Sequence, residues 1–438
     1  VFKKSLFMGV AAAAMLMSSS VMAGDLKSDV QADYKNLESL YKWFHANVEL
    51  SFQEKNTSAR LAKELRDLGI DVTEGVGGYG VVGVVKNGAG PTLMIRADMD
   101  GLPIEELTGR PYASKQVGKS DDGKDVPVMH GCGHDVHMTS LVGAAKQLMA
   151  RKQEWSGTIV FIGQPAEERV GGAQAMLEDG LFTRFPTPDY NLALHVGPNP
   201  AGEVHYSSGF ALANVDSVDI TVHGISGHGS MPHLTKDPVV ISAYIVTALQ
   251  TIVAREISPR DPGVITVGSI HGGLKHNIIS ESAHMQLTVR SYTEETRKIL
   301  KDGIKRVAEN MGRVMGVPDD KLPTVKFSES TPATYNDPAF TATVVKFITD
   351  ELGADKIKIA EPSMGAEDFS YFSRTKEKIP SFIYWLGGIS DEQRKSYTDQ
   401  GKMVPGNHSS YFAPDPNGTL QAGVRSLTAA ALNLLAKK

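Results

Sequence analysis

From Gly78 to Asp100 the chain reads GYGVVGVVKNGAGPTLMIRADMD. Two apolar runs flank Asn87-Gly88, a pair suited to a tight turn because both residues tolerate positive φ. The stretch predicts two strands joined there as an extended hairpin, the second ending on Asp98 and Asp100. Gly78, Gly80 and Gly83 also satisfy the Gly-x-Gly-x-x-Gly spacing of a dinucleotide-binding turn. The chain runs on as extended VVGVVKNG, so no helix N-terminus follows to receive a pyrophosphate, and that reading is rejected.

Outward from this stretch, helices and strands alternate. Asp29 to Val48 and Thr57 to Leu68 carry amphipathic spacing, the second stopped by Gly69. Downstream the pattern predicts a helix from about His134 to Arg151 and the strands GTIVFIG and YNLALHV. Such alternation implies an α/β fold with a mostly parallel central sheet.

From about Asn214 the pattern changes. Strand VDSVDITVHG, helix Asp237 to Arg255, strands GVITVGSIHG and SAHMQLTVRSY, helix Glu294 to Met315 and strand TVKFSE follow in turn. That order is βαββαβ, the ferredoxin-like arrangement. Alternation resumes at Asp337, and SFIYWLGG is apolar enough to be central in the first sheet. The expectation is a discontinuous catalytic domain, 24–212 and 329–438, holding an inserted lid or dimerisation domain, 213–328.

The first residues combine Lys3 and Lys4 with an apolar run from Leu6 to Met17, and Val21 and Ala23 supply small cleavage-site residues. The run is short of the roughly 20 residues a membrane span needs. We expect a signal peptide over 1–23, cut after Ala23, and an exported, periplasmic protein with no membrane attachment afterwards. A net charge of −5 gives no reason to expect a nucleic-acid partner. The single cysteine, Cys132, cannot form an internal disulfide. In an oxidising compartment it is a buried thiol, a nucleophile or a metal ligand.

Four polar clusters end predicted strands or open predicted helices. They are IRADMD with Asp98 and Asp100, HGCGHDVH with Cys132 and His134, GQPAEE with Glu167 and Glu168, and LALHVG with His195. In open α/β sheets ligands collect at the carboxyl ends of strands, so the four clusters point to one site. Singly, each has an ordinary explanation: an Asp after a strand caps a helix, His195 is a hydrogen-bonded core histidine, Cys132 a small buried hydrophobe. Glu167-Glu168 is harder to dismiss, because two adjacent carboxylates after TIVFIGQPA are costly unless something positive compensates them. Together Cys, His and Glu suit zinc, cobalt or manganese, which would also hold the thiol as thiolate. His408 in GNHSSYF is a fifth candidate donor, while His130 and His137 read as supporting residues.

In this order RADMDGLP, MHGCGHDVH, QPAEE, GISGHGSMPH, NIISESAHMQLTVR, GAEDFSYF and NHSSYF resemble the aminoacylase/carboxypeptidase family of dinuclear metallohydrolases. The nearest branch is that of hippurate hydrolases, N-acyl-amino-acid amidohydrolases and auxin-conjugate hydrolases. The resemblance implies a zinc-peptidase-like large domain and cleavage of N-acyl amino acids (N-acetyl, N-benzoyl or hippurate-like). A metallo-exopeptidase acting on short peptides is the alternative. By motif, Cys132, His134, Glu168, His195 and His408 correspond to ligands of two divalent ions (Zn2+, Mn2+ or Co2+), and Glu167 to the general base. Five ligands for two ions call for sharing. Thiolate sulfur has several lone pairs where an imidazole nitrogen has one, so Cys132 is expected to bridge.

His228 corresponds to the family histidine that stabilises the developing oxyanion, often across a dimer interface, and Asn277 and Arg290 to residues that hold the substrate carboxylate. A homodimer through the lid is the expected assembly. Asp98 and Asp100 stand where distant relatives use His-x-Asp, and with Asp98 in first place both are expected to support the ligands. Arg169 replaces a residue that is small in many relatives. A cysteine hydrolase with Cys132 as nucleophile, or an exported metal- or solute-binding protein, are the alternatives from other classes. The paired Glu167-Glu168 argues against a mere binder, which needs ligands but no spare base.

Overall fold

The computed structural model describes residues 24–437. The expected signal peptide, 1–23, lies outside the described residues. Seven principal helices follow in chain order: Leu26–Ala46 (α1), Lys55–Asp67 (α2), His134–Ala150 (α3), Pro238–Arg255 (α4), Glu294–Val314 (α5), Pro338–Leu352 (α6) and Pro416–Leu434 (α7). α4, α6 and α7 each open with proline behind an aspartate, Asp237, Asp337 or Asp415, whose side chain accepts a first-turn N–H. Proline costs nothing there because its missing N–H would have no helical partner.

The strands of the two main sheets are Asp71–Val76 (β1), Gly80–Asn87 (β2), Thr92–Asp98 (β3), Gly157–Gln164 (β4), Tyr190–Pro200 (β5), Val204–Tyr206 (β6), Asn214–His223 (β7), Gly263–Gly272 (β8), Ser282–Ser291 (β9), Thr324–Thr331 (β10), Ile357–Ile359 (β11) and Ser381–Ile389 (β12). The large sheet has the order β1-β2-β4-β3-β5-β12-β6-β11. Its central strands β4, β3, β5 and β12 are all parallel. The mostly parallel sheet and the central place of SFIYWLGG are as expected.

The hairpin reading of Gly78–Asp100 needs correction. β2 and β3 form where expected but do not pair with each other. β4 lies between them, antiparallel to Val81–Asn87 and parallel to Thr92–Asp98. A two-residue turn would leave the strands one spacing apart, about 4.8 Å, whereas the link through Gly88 and Pro91 spans two. Pro91 carries no N–H, and its carbonyl accepts the Thr158 N–H at the start of β4. Turn preference is local; the long apolar run of β4 outweighs it by burying both of its faces.

That burial alternates strictly. Ile159 and Phe161 enter one core with α1, α2, α3, α6 and α7, while Val160 and Ile162 enter the core on the opposite face. The same parity puts Leu192, Leu194 and Val196 of β5 on the first face and Ala193 on the second. Arg96, Asp98, Gln164 and His195 share the parity of that second face, so one side of the sheet gathers the buried polar groups.

The small sheet has the order β8-β9-β7-β10, antiparallel throughout, which is the strand order of a ferredoxin-like unit. α4 and α5 cover one face through a separate core that includes Ile220, Leu249, Met285, Leu300 and Ile304. β10 continues to Thr331, past the boundary expected at 328.

Candidate metal centre

Cys132, Gly133 and His134 lead into α3 beside β5. Gly133 has φ +86, and a Cβ there would meet Val196 Cγ1 at 2.3 Å, so glycine alone lets the loop approach the strand this closely. Cys132 Sγ then lies 3.4 Å from His195 Nε2. His195 Nδ1 donates to the Val196 carbonyl at 2.9 Å, which leaves the Nε2 lone pair facing the sulfur. β5 runs on to Pro200, so His195 sits within the strand and not at its carboxyl end.

Glu167 and Glu168 share a single 3-10 turn bounded by Ala166 (φ +51) and Val170 (φ +45), both left-handed without being glycine. Asp100 pins this turn: its carboxylate accepts the backbone N–H of Glu167 at 3.1 Å and of Glu168 at 3.0 Å, and the Ser51 hydroxyl at 2.6 Å. His134 Nε2 lies 3.9 Å from an oxygen of each glutamate. His408, left-handed at φ +66, hangs its N–H on Gly131 O and brings Nε2 to 3.5 Å from Glu168 Oε2. The donor atoms of Cys132, His134 and His195 all lie within 4.8 Å of one another, and so do those of Cys132, Glu168 and His408. Cys132 belongs to both groups.

The electrostatics fit cations. Burial, with Glu168 and Glu167 nearby, pushes the Cys132 thiol well above its ordinary value. Burial and the Glu367 carboxylate push Glu167 up in the same way, and burial takes Glu168 to about 8. Burial works against charge on His134, but Asp98 and Asp100 outweigh it and raise the imidazole to about 10. His134 Nε2 and Glu168 Oε1 are buried without a hydrogen-bond partner. An excess of buried negative groups, a thiol and orphaned donor atoms is the environment divalent ions relieve.

Behind the donors lies a layer that only partly showed in the sequence. His137 Nδ1 donates to Asp98 Oδ1 at 2.5 Å, and its Nε2 accepts the Val196 N–H at 2.7 Å. Both nitrogens are occupied, so His137 supports the strand that carries His195. Asp98 also receives Arg96 Nη1 at 2.6 Å, and the same buried guanidinium reaches Glu367 at 2.6 Å and Asp368 at 3.3 Å. Asn407 Nδ2 donates to the Cys132 and Val196 carbonyls, both at 3.0 Å. The functional roles of Arg96, Glu367, Asp368 and Asn407 are missing from the sequence reading. Arg96 carried a signal, since an arginine inside the apolar TLMIRAD is costly unless paired.

Cys132, Glu167, Glu168, His195 and His408 line a cavity of about 750 Å3 that also reaches Arg290 on β9 and Trp385 on β12, with His134 buried behind them. Arg290 Nη1 donates to Met364 O at 2.7 Å. The structure thus brings together Cys132, His134, Glu167, Glu168, His195 and His408, with Asp98 and Asp100 behind them and Arg290 in the cavity wall. His228 and Asn277 are exposed and do not line this cavity. They sit side by side instead, where Gly227–His228 pairs with Ile278–Ile279 and Gly229 N–H donates to Asn277 O at 2.9 Å.

Residues 94–408 match the family model of Peptidase family M20/M25/M40. A thermostable carboxypeptidase 2 of Saccharolobus solfataricus is 38% identical over 401 residues, covering 89% of this chain and 94% of that protein. A hippurate hydrolase of Campylobacter jejuni is 35% identical over 362 residues, covering 81% and 88%. The solved YxeP protein of Bacillus subtilis, a dinuclear metal-binding peptidase of the M20 family, superposes with a TM-score of 0.71 at 27% identity, covering 92% of this chain and 99% of that one. With donor groups matching that chemistry, the chain is a metal-dependent hydrolase of amide bonds and belongs to the M20/M25/M40 peptidase family.

Proposed function

We propose that the enzyme hydrolyses N-acyl amino acids bearing a free carboxylate. The observation that carries this reading is the composition of one cavity: metal-type donors at its floor, Arg290 in its wall, and Leu212, Val215 and Trp385 as an apolar lining. A guanidinium suits a carboxylate, and an apolar wall suits an acyl group.

Cys132, His134 and His195 would hold one divalent ion, Zn2+, Mn2+ or Co2+, and Cys132, Glu168 and His408 a second, the sulfur being shared. When bound, these ions supply carbonyl polarisation and a water acidic enough to react near neutral pH. Glu167 takes the proton from the attacking water and passes it to the nitrogen of the leaving amine. Asp100 keeps Glu167 aimed by holding its backbone, and Arg290 orients the substrate through the carboxylate.

A carboxypeptidase reading uses the same carboxylate grip, and the likeness to a thermostable carboxypeptidase favours keeping it. The test is a hydrolysis screen of N-acetyl and N-benzoyl amino acids against dipeptides, with zinc, manganese or cobalt added. Dipeptide turnover without any N-acyl turnover would reverse the assignment.

The active unit is a homodimer. Supporting this, α4 is apolar yet leaves Val239, Val240 and Tyr244 exposed, and β8 is an edge strand with Ile270 exposed. Pairing along this face would cover an apolar patch and an open edge together. His228 and Asn277, exposed and outside their own chain's cavity, then serve the partner's site. Light scattering on the purified protein tests the dimer. Export rests on the N-terminal sequence, and a periplasmic fraction whose N-terminus is Gly24 would support it.

A further inference from the structure

We propose that the cavity selects substrates whose amino-acid side chain ends in a cation, with Glu329 as the residue that reads it. This inference rests on the N-acyl-amino-acid reading above and names the substrate class within it.

Regular pairing breaks at the end of the small sheet's last strand. Along β7 and β10, Asp216 pairs with Ser330 but Ser217 pairs with Ser328, so Glu329 is an extra, unpaired residue. Its φ is +25, a region that L-residues avoid. A bulge of this kind re-aims a side chain, and bulges recur next to active sites for that reason. Here it turns Glu329 onto the open face of the small sheet, where its carboxylate accepts the Ser217 hydroxyl at 3.2 Å and lines the catalytic cavity. Strain is tolerated at one position, and its effect is to put a carboxylate across from Arg290.

Those two charges stand on β10 and β9, with β7 between them. Arg290 is bonded to Thr288 and the Met364 carbonyl, with no carboxylate partner among the described residues. Glu329 shares one oxygen with Arg169 Nε at 3.3 Å, but Arg169 also holds Asp121, at 2.8 Å. That pair is about half exposed and so is weak, leaving Glu329 able to receive a second cation.

A second observation points the same way. A groove of about 500 Å3 runs over the open face of the small sheet and shares Ser217, Thr288 and Glu329 with the catalytic cavity. Among the described residues Asp219 is its other charged residue, facing His284 at 3.0 Å, and no lysine or arginine lines it. Moving along β9 from Arg290 to Thr288 to Gln286, the lining passes from the catalytic cavity into this groove. A substrate whose α-carboxylate meets Arg290 therefore extends its side chain toward an acidic, hydroxyl-rich surface. An Nα-acylated lysine or another diamino acid fits that polarity; a long apolar side chain does not.

The test compares Nα-acetyl-lysine with Nα-acetyl-2-aminoheptanoate, which puts a methyl where lysine carries its ammonium. With the full-length, metal-loaded enzyme, kcat/KM is expected to favour the lysine substrate by about tenfold, and Glu329→Gln should bring the ratio close to one. Thermal unfolding shows whether the variant is folded; if it does not fold, the wild-type ratio decides alone. A wild-type ratio at or below one, or a preference that survives Glu329→Gln, overturns the proposal and leaves the N-acyl-amino-acid reading intact. Failure to hydrolyse any N-acyl amino acid would instead sink that reading, and this inference with it.

Discussion

Asp100 Oδ2 accepts the backbone N–H of Glu168 at 3.0 Å, which ties the turn bearing Glu167 and Glu168 to the loop just beyond a central strand. Asp100 is itself buried and does not line the cavity, so its effect on catalysis passes through that turn and through His134, whose Nδ1 lies 3.3 Å from Asp100 Oδ1. Asp100→Asn places an amide N–H against one of the two backbone donors it now serves. The expected result is a loss of about 10–100-fold in metal affinity or kcat, the usual size for a residue that orients ligands. Metal titration by calorimetry, beside steady-state kinetics, checks it.

Glu167→Gln keeps the shape of the turn and removes the proposed proton carrier. Turnover is expected to fall by about 10²–10⁴-fold while bound metal, measured by elemental analysis, stays at the wild-type level. Loss of metal would mean that the roles of Glu167 and Glu168 are exchanged.

Metal removal separates the hydrolase reading from a cysteine nucleophile. A chelator should abolish activity, and added zinc, manganese or cobalt should restore it. A thiol alkylating agent should leave the metal-loaded enzyme active, since Cys132 is buried and, on the proposed reading, would be engaged as a ligand. Activity that survives the chelator but dies on alkylation would point to the thiol as nucleophile.

Arg96 is fully buried among Asp98, Glu367 and Asp368. Arg96→Leu leaves those carboxylates without their cation and should cost about 3–5 kcal/mol of stability, as for breaking other buried pairs. Urea unfolding of the two proteins measures the difference. A change under about 1 kcal/mol would show that bound metal, not Arg96, balances this cluster.

His45 predicts a pH dependence. Burial opposes its charge, but hydrogen bonds to Asp135 (2.7 Å) and Glu106 (3.0 Å) outweigh that and raise it to about 9. A histidine raised on folding stabilises fully below its unfolded value near 6.5, and that contribution is lost as pH climbs through about 9. The contribution is of order 3 kcal/mol and includes the matching lowering of Asp135 and Glu106. Wild-type Tm should therefore drop between pH 7 and 10 more steeply than that of His45→Gln; parallel curves would rule out the clamp.

Sequence alone determined the elements and the chemistry. The periodicities of α3, β4 and the βαββαβ stretch were readable because burial imposes a repeat of 3.6 or 2 on apolar residues. The donors in HGCGHDVH, QPAEE and LALHVG stood out because Cys, His and paired Glu are costly in apolar surroundings without a compensating ion. What tertiary structure decided was adjacency. Asn87-Gly88 marks a link between strands, but nothing local says that β4 will enter between them, since strand order is settled by which apolar faces bury best together. The Arg96–Glu367 pair joins residues 271 positions apart, and the bulge at Glu329 arises from register against β7. Each depends on a partner that is distant in the chain, and only folding brings the two within reach.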